Sequence, residues 1–262
     1  MNPRRQRAPA PGAGKAREPA SMARDTLIVI PTLNEHDNIV ELLEGVHAHC
    51  TDADVLIVDD ASPDGTAELA EQVGRRLGHV EVLRRRRRMG IGSAYIEGFR
   101  CGLERGHRLM MSMDADLSHE PRYLPALRAA AADADLVIGS RYLHGVSVVN
   151  WGLKRLAMSV GANAYARRIT GLPVRDCTSG FQCIRREVLQ AIDIGRLRFS
   201  GYSFLIEVKY RAYRLGFRLV EVPIIFTDRK VGQSKITRWE VLRSVWAVWA
   251  MRVGLDARPA RR

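Results

Sequence analysis

Two acidic segments stand where chemistry on a charged leaving group would need them. Asp59-Asp60 closes the apolar run that begins at Ala53, and Asp114-Ala-Asp116 closes the run from Arg108 to Met113. In extended chain, residues two apart project to the same side, so Asp114 and Asp116 can face one set of ligands. Such carboxylates hold a hard divalent cation, which in turn binds a diphosphate. The plainer alternative is that these aspartates only cap turns and helices at strand exits. Two acidic exits in equivalent places favour the functional reading. Ser118 offers a hydroxyl or carbonyl to the same cation, or N-caps a helix running on from Pro121. His119 either lines the site or serves the helix entry or the surface.

The run Arg84 to Arg88 precedes Met89-Gly-Ile-Gly92. Most of these arginines are expected to be solvated. Arg88 adjoins the glycines, where a close-approaching backbone lets it reach a phosphate. The glycine pair is no G-x-G-x-x-G fingerprint and the chain has no P-loop, which disfavours a dinucleotide dehydrogenase or an NTPase. His47 and His49, two apart on a helix, cannot share a face and are discounted as a metal pair.

The elements that must carry these residues read as alternating strands and helices. Thr26 to Ile30 is a β-branched run closed by Pro31, and Glu35 to His49 has helical apolar spacing at Ile39, Leu42, Leu43 and Val46. Ala53 to Asp60 predicts a strand covered on both faces, followed by a turn at Ser62 to Gly65 and a helix from Thr66 to Leu77. Further strands are expected at 79–83, 108–113 and 136–139, with a helix at 94–104. Beyond Arg141 the expectation is a helix over 151–169, a Gly/Ser/Thr turn region, a helix over 204–215 and a strand over 219–226. This predicts an α/β fold with an open, largely parallel sheet that binds ligands beyond its carboxyl edge, where 31–35, 59–60 and 114–116 all fall.

The chain has 262 residues, 46% of them hydrophobic, enough for one large domain or two small ones. Lys and Arg number 41 against 29 Asp and Glu, a net charge of +12 that attracts phosphates, nucleic acid or an anionic membrane. Nucleic acid is disfavoured, because the paired acids repel a phosphate backbone and no stacking aromatics accompany the arginines. The four cysteines form no C-x-x-C pair, so neither a zinc site nor a disulfide framework is supported, and a reducing cytosol is expected. No apolar run approaches the ~18 residues of a bilayer span. Residues 1–24 read as a disordered basic tail without the apolar core of a secretion signal, and 256–262 as a second basic tail. Between them the organisation is a catalytic domain over 25–236 and an amphipathic helix over 237–255. In that helix Trp239, Leu242, Val245, Trp246, Trp249 and Val253 share a face, either to dock at a membrane or partner helix or to pack on the catalytic core.

Six segments in order resemble the motif set of the family 2 inverting glycosyltransferases: Ile30 to Glu35, Val58 to Gly65, Met113 to His119, Gly139 to Tyr142, Asp176 to Phe181, and Asp228 to Lys235. Within that family they look like the polyprenol and dolichyl-phosphate mannosyltransferases. The resemblance spans about 27–236. It implies a GT-A fold, a GDP-mannose donor, Mg²⁺ or Mn²⁺ and a polyprenyl phosphate acceptor, and with such an acceptor the apolar stripe of 239–253 and the basic surplus suggest peripheral attachment to the cytoplasmic face of a membrane or to an integral membrane partner. A related transferase using UDP-glucose or another sugar nucleotide is the alternative. By position, Pro31, Leu33, Glu35, Val58 and Asp60 would hold the nucleoside. Asp114, Ala115 and Asp116 would meet the diphosphate and metal, with Asp116 and Ser118 as metal ligands and Arg229 and Lys235 over the donor phosphates. Arg141, Arg155 and Ser159 would bind the acceptor phosphate, Arg141 together with Asp114 and Asp116 forming the catalytic set. Leu33 replaces an aromatic found in many relatives, removing a stacking surface for the base. Ser118 replaces a Gln found in some, so its metal contact would have shorter reach.

Overall fold

In a computed structural model, which describes residues 24–197, 199, 201–228 and 238–254, seven strands form one sheet. The first half alternates as the periodicity predicts: β1 (Thr26–Thr32), α1 (His36–His49), β2 (Asp54–Asp59), α2 (Thr66–Leu77), β3 (Val80–Arg84), α3 (Ile91–Glu104) and β4 (Leu109–Ser112). Then follow α4 (Leu124–Ala130), β5 (Leu136–Ser140), β6 (Val148–Val149), α5 (Leu153–Thr170), β7 (Gln182–Arg185), α6 (Arg186–Ala191), α7 (Tyr202–Arg214), β8 (Leu219–Pro223), β9 (Phe226–Thr227) and α8 (Arg238–Arg252). The strand order is β3-β2-β1-β4-β7-β5-β8. All neighbours are parallel except β7, which runs antiparallel between β4 and β5.

The sequence reading missed β7 and α6, because four residues between a Gly/Ser turn and a short helix leave too little periodicity to see. The single strand expected over 219–226 is two. β8 stops at Pro223, which has no N–H for a ladder, and Phe226–Thr227 pairs instead with β6 in a separate two-stranded sheet.

Both faces of the sheet are covered, so alternate residues of one strand enter different cores. Leu27 and Val29 join Phe99, Phe204, Val208 and Met251 on one side, while Ile28 and Ile30 join Ile39, Leu42 and Leu127 on the other. The helix α8 packs on α5 and α7, burying Ala247, Val248, Ala250 and Met251. Of the aromatic and aliphatic stripe expected on this helix, Val245, Trp246, Trp249 and Val253 are exposed. These four residues face outward, with the Trp246 ring meeting Phe199 edge-on at 6.2 Å, and the side chains of Trp239 and Leu242 lie outside the described residues. In α5 the buried residues, Asn163, Ala166 and Thr170, all lie in its C-terminal half.

The glycines of α3 set how closely it approaches the sheet. A Cβ built on Gly98 would lie 2.3 Å from Val29 Cγ1, so α3 rests directly on β1. Gly98→Ala, favourable for an isolated helix, is therefore expected to destabilise the protein by about 1–3 kcal/mol through overpacking, measured by denaturant unfolding. An unchanged midpoint would mean that the helix can lift off the strand freely.

Candidate active site

Three loops leave the carboxyl edge of the sheet, after β1, β2 and β4. Each contains a non-glycine residue in the left-handed region: Asn34 (φ 60), Ala61 (φ 61) and Leu117 (φ 61). Such backbone is costly for Ala and Leu, and it persists only where surrounding contacts enforce it.

Those contacts come from the acids. The Asp59 carboxylate accepts from Thr32 Oγ1 at 2.9 Å, Ser62 N at 2.9 Å and Ser62 Oγ at 2.6 Å, tying the first two loops together. Asn34 N–H donates to Ser62 Oγ, and Glu35 N–H to Thr66 Oγ1. The half-buried Glu35 carboxylate accepts from Asn38 Nδ2 at 2.8 Å. Pro31 and Leu33 beside it are half-buried. Asp60, buried, accepts from Arg85 Nη1, Met89 N and Gly90 N, each at 2.8 Å.

Asp60 therefore orders the arginine and glycine loop, and the arginine it engages is Arg85, not Arg88. Arg85 is buried and also reaches Glu97 and Ser93. Arg86, Arg87 and Arg88 are exposed, as expected for most of the run. Nothing within the run marks Arg85 as different; only its distance from Asp60 does. The structure corrects the expectation for Val58. Its side chain is fully buried in the core and its backbone pairs with β1 and β3, so that side chain lines no ligand surface. Ala115 is likewise packed in the core.

The acidic loop after β4 is braced from both sides. Tyr95 of α3, buried against Phe99 and Phe204, donates its hydroxyl to Asp114 Oδ1 at 2.9 Å. Burial and the adjacent Asp114 push this phenol well above its ordinary value, so it stays a donor. The Asp114 N–H donates to His119 Nδ1 at 3.0 Å, which requires that nitrogen to be unprotonated. Burial lowers the His119 pKa against the pull of Asp114 and Asp116, consistent with a neutral ring carrying its proton on Nε2. His119 thus sits inside the site, stacked on Phe181 at 4.9 Å. Ser118, buried, donates both N–H and Oγ–H to Asp116 Oδ1. It orients Asp116 and does not cap the following turn, which Glu120 precedes without a side-chain cap.

A second cluster gathers the basic residues. Arg141, past the end of β5, donates Nε and Nη2 to the two Asp176 oxygens, both at 2.7 Å, and Nη2 also to Thr178. Burial alone would raise the Asp176 pKa, but Arg141 reverses the effect and holds it below the usual carboxylate value. Arg155 Nη1 lies 2.7 Å from both oxygens of Asp228, and Ser159 Oγ is 2.7 Å from the Tyr142 hydroxyl. Trp151 carries the Arg155 guanidinium 4.3 Å from its ring centroid.

Phe226 joins the two clusters. Its ring meets His119 edge-on at 5.5 Å and Trp151 edge-on at 5.5 Å, and the Arg141 guanidinium lies 5.3 Å from its centroid. The acids of the β4 loop and the arginines of β5 and α5 therefore border one locality. Arg229 and Lys235 lie outside the described residues.

No group of three or more His, Cys, Asp or Glu side chains converges on a metal position among the described residues. Hard carboxylate oxygens at 114 and 116 without a third such ligand fit a cation that shares its coordination with phosphate oxygens, as Mg²⁺ and its analogues do, and do not fit an all-protein cage. Ser118 spends its N–H and its hydroxyl proton on Asp116, which leaves only the hydroxyl lone pairs for a cation.

Tyr95, Arg85, Trp151 and Lys209 were not singled out as site residues from the sequence. Lys209 of α7 is fully buried, donates to the carbonyls of Ser179 and Leu205 at 2.8 and 3.2 Å, and supports the loop that carries Asp176. A lysine on an otherwise apolar helix face was the available signal.

The model of the family described as "Glycosyl transferase family 2" matches residues 27–193. The polyprenol monophosphomannose synthase of Mycolicibacterium smegmatis is 41% identical over 249 residues, covering 94% of each chain. The undecaprenyl-phosphate mannosyltransferase of Micrococcus luteus is 42% identical over 237 residues, covering 88% of this chain and 98% of its own. Among solved structures, glucosyl-3-phosphoglycerate synthase from Mycobacterium tuberculosis, bound to Mn²⁺, UDP and glucosyl-3-phosphoglycerate, superposes with a TM-score of 0.63 at 19% identity, over 94% of this chain and 88% of that one. A mannosyltransferase from Pyrobaculum calidifontis in complex with GDP-Man and Mn²⁺ gives 0.52 at 15% identity, over 88% and 70%. These likenesses establish the GT-A fold.

The buried Lys209 makes a checkable contribution to stability. Burial pushes its pKa from 10.5 down to about 8. Between those values the unfolded chain holds a proton that the folded chain has lost, so stability rises with pH across the window. Relative to Lys209→Met, the wild-type unfolding free energy should gain about 3 kcal/mol from pH 8 to 10.5 and show a constant offset below pH 8. Parallel curves for the two proteins in urea titrations would contradict the assignment.

Proposed function

Because the chain belongs to glycosyl transferase family 2, we propose that it transfers mannose, with inversion, from GDP-mannose to a polyprenyl phosphate. The observation that carries this reading is the meeting at Phe226 of an acidic strand end and a cluster of arginines, in a chain 41–42% identical over most of its length to enzymes named for mannosyl transfer onto polyprenyl phosphates.

Glu35 and Asp60, with Pro31 and Leu33, border the nucleoside, Asp60 acting also through the loop it orders. Asp114 and Asp116 face the diphosphate. A divalent cation, Mg²⁺ or Mn²⁺, held chiefly by Asp116, supplies charge neutralisation for the departing GDP. Ser118 keeps Asp116 in its rotamer, and Tyr95 and His119 keep Asp114 in place. Arg229 and Lys235 complete the donor side.

On the other side Arg141, Arg155 and Ser159 receive the acceptor phosphate. A phosphate monoester is already ionised at neutral pH, so the nucleophile needs orientation and a screened approach more than it needs a protein base. Neutral His119 suits such a site, because it adds no charge between the diphosphate and the attacking oxygen.

The lipid acceptor also calls for attachment to a bilayer. No helix among the described residues is long and apolar enough to cross one. α5 instead exposes Leu153 and Met158, and α8 exposes Trp246, Trp249 and Val253, at 49–84% exposure. Apolar and tryptophan side chains of this kind, on a chain of net charge +12, suit peripheral binding to the anionic cytoplasmic face of a membrane.

Incubation with labelled GDP-mannose, a divalent metal and polyprenyl phosphate should move EDTA-sensitive label into the organic phase; absence of transfer with every polyprenyl phosphate tested would overturn the reading. Asp116→Asn should abolish transfer by weakening metal and donor binding. Lost activity with both affinities intact would refute its assignment to the cation. Trp246→Gln combined with Trp249→Gln should lower sedimentation with anionic vesicles about tenfold, with transfer to a short water-soluble acceptor preserved. Unchanged sedimentation would sink the membrane face.

A further inference from the structure

Trp151 holds a buried polar atom without a partner among the described residues: its Nε1–H is shielded from solvent and meets no acceptor there. Buried donors are nearly always paired, so an orphan of this kind calls for a reason. The surroundings supply one. The guanidinium groups of Arg155 and Arg141 lie over the indole at 4.3 and 5.7 Å from its centroid, and the ring also packs edge-on against Phe226.

The backbone fixes the indole where it is. Trp151 follows β6 and the left-handed Asn150 (φ 64), and Val149 of β6 accepts the N–H of Asp228 at 3.1 Å. The paired strands β6 and β9 therefore present, side by side, Trp151 and the carboxylate that Arg155 binds.

The two ion pairs around the ring differ in how readily they exchange. Asp176 is fully buried beneath Arg141, whereas the Arg155 and Asp228 side chains are 35% and 26% exposed. An incoming phosphate can compete with Asp228 for Arg155 while the guanidinium stays over the ring face, since the indole N–H projects from the ring edge.

Resting on the acceptor reading above, we infer that Trp151 is a further residue of the acceptor-phosphate site. Its ring face holds both guanidinium groups within reach of one anion, and its indole N–H donates to a phosphate oxygen once Arg155 exchanges Asp228 for that anion. The face of the ring offsets the crowding of two cations, and the N–H adds a neutral donor where a third cation would be costly.

The test is calorimetric titration of the full chain with farnesyl phosphate and, separately, with GDP-mannose, which requires no turnover. Trp151→Phe keeps an aromatic face and removes the N–H. It should weaken farnesyl phosphate about tenfold or more and leave GDP-mannose unchanged, and in turnover it should raise the acceptor KM but not the donor KM. Should the smaller ring disturb folding, 3-benzothienylalanine at position 151 removes only the N–H from a ring of the same shape and should give the same selective loss. Farnesyl phosphate binding as tight as in the wild type would overturn the inference, as would equal weakening of both ligands, which marks a packing role alone. A wild-type chain that binds GDP-mannose but not farnesyl phosphate would instead bring down the acceptor reading, and this inference with it.

Discussion

The pairing of Arg141 with Asp176 is a charge interaction taken almost wholly out of water, and the second half of the molecule is arranged around it. The two side chains meet through two parallel hydrogen bonds, and the Arg141 N–H adds a third to the same carboxylate. Glu221 of β8 accepts from the backbone N–H groups of Arg175 and Asp176, so β5, β8 and the loop before β7 are joined at one point. Burying such a pair costs several kcal/mol in desolvation per ion, and good geometry with further hydrogen bonds is needed to offset it. A hydrophobic replacement could hold these segments together as well. It could not leave a guanidinium at the rim of the site proposed for the acceptor phosphate.

The acidic and basic clusters follow one design. Each side chain proposed for the site is held by a neighbour: Asp114 by Tyr95 and His119, Asp116 by Ser118, Arg155 by Trp151 and Asp228. Such bracing lowers the reorganisation needed when charge moves from donor to leaving group. It also explains the left-handed residues at three loop roots, since the hydrogen bonds of Asp59 and Asp116 hold the chain in turns that local preference alone would not choose.

Legibility in the sequence tracks how local each signal is. The parallel half of the sheet and the acidic ends of β2 and β4 were readable because each lies within one β-α step. The motif order then added what spacing could not, including Arg155 and Ser159. What stayed hidden depends on contacts between distant segments. Arg85 looks the same as its neighbours until Asp60, 25 residues away, is placed beside it. The four-residue β7 owes its existence to the gap between β4 and β5. The stripe on α8 was visible, but whether it faces the core was decided by Ala247, Val248, Ala250 and Met251, small and aliphatic residues that take the inner positions.

The uneven burial along α5 gives that helix a mechanical character. Its buried residues cluster toward Thr170, while among the described residues the turn bearing Arg155 is fastened through side chains at its flank. An 18-residue helix is about 27 Å long, so a cantilever clamped near one end converts a ten-degree tilt into a sweep of about 4 Å at the free tip. A tilt of that kind would shift the Arg155 end of the helix without repacking the sheet.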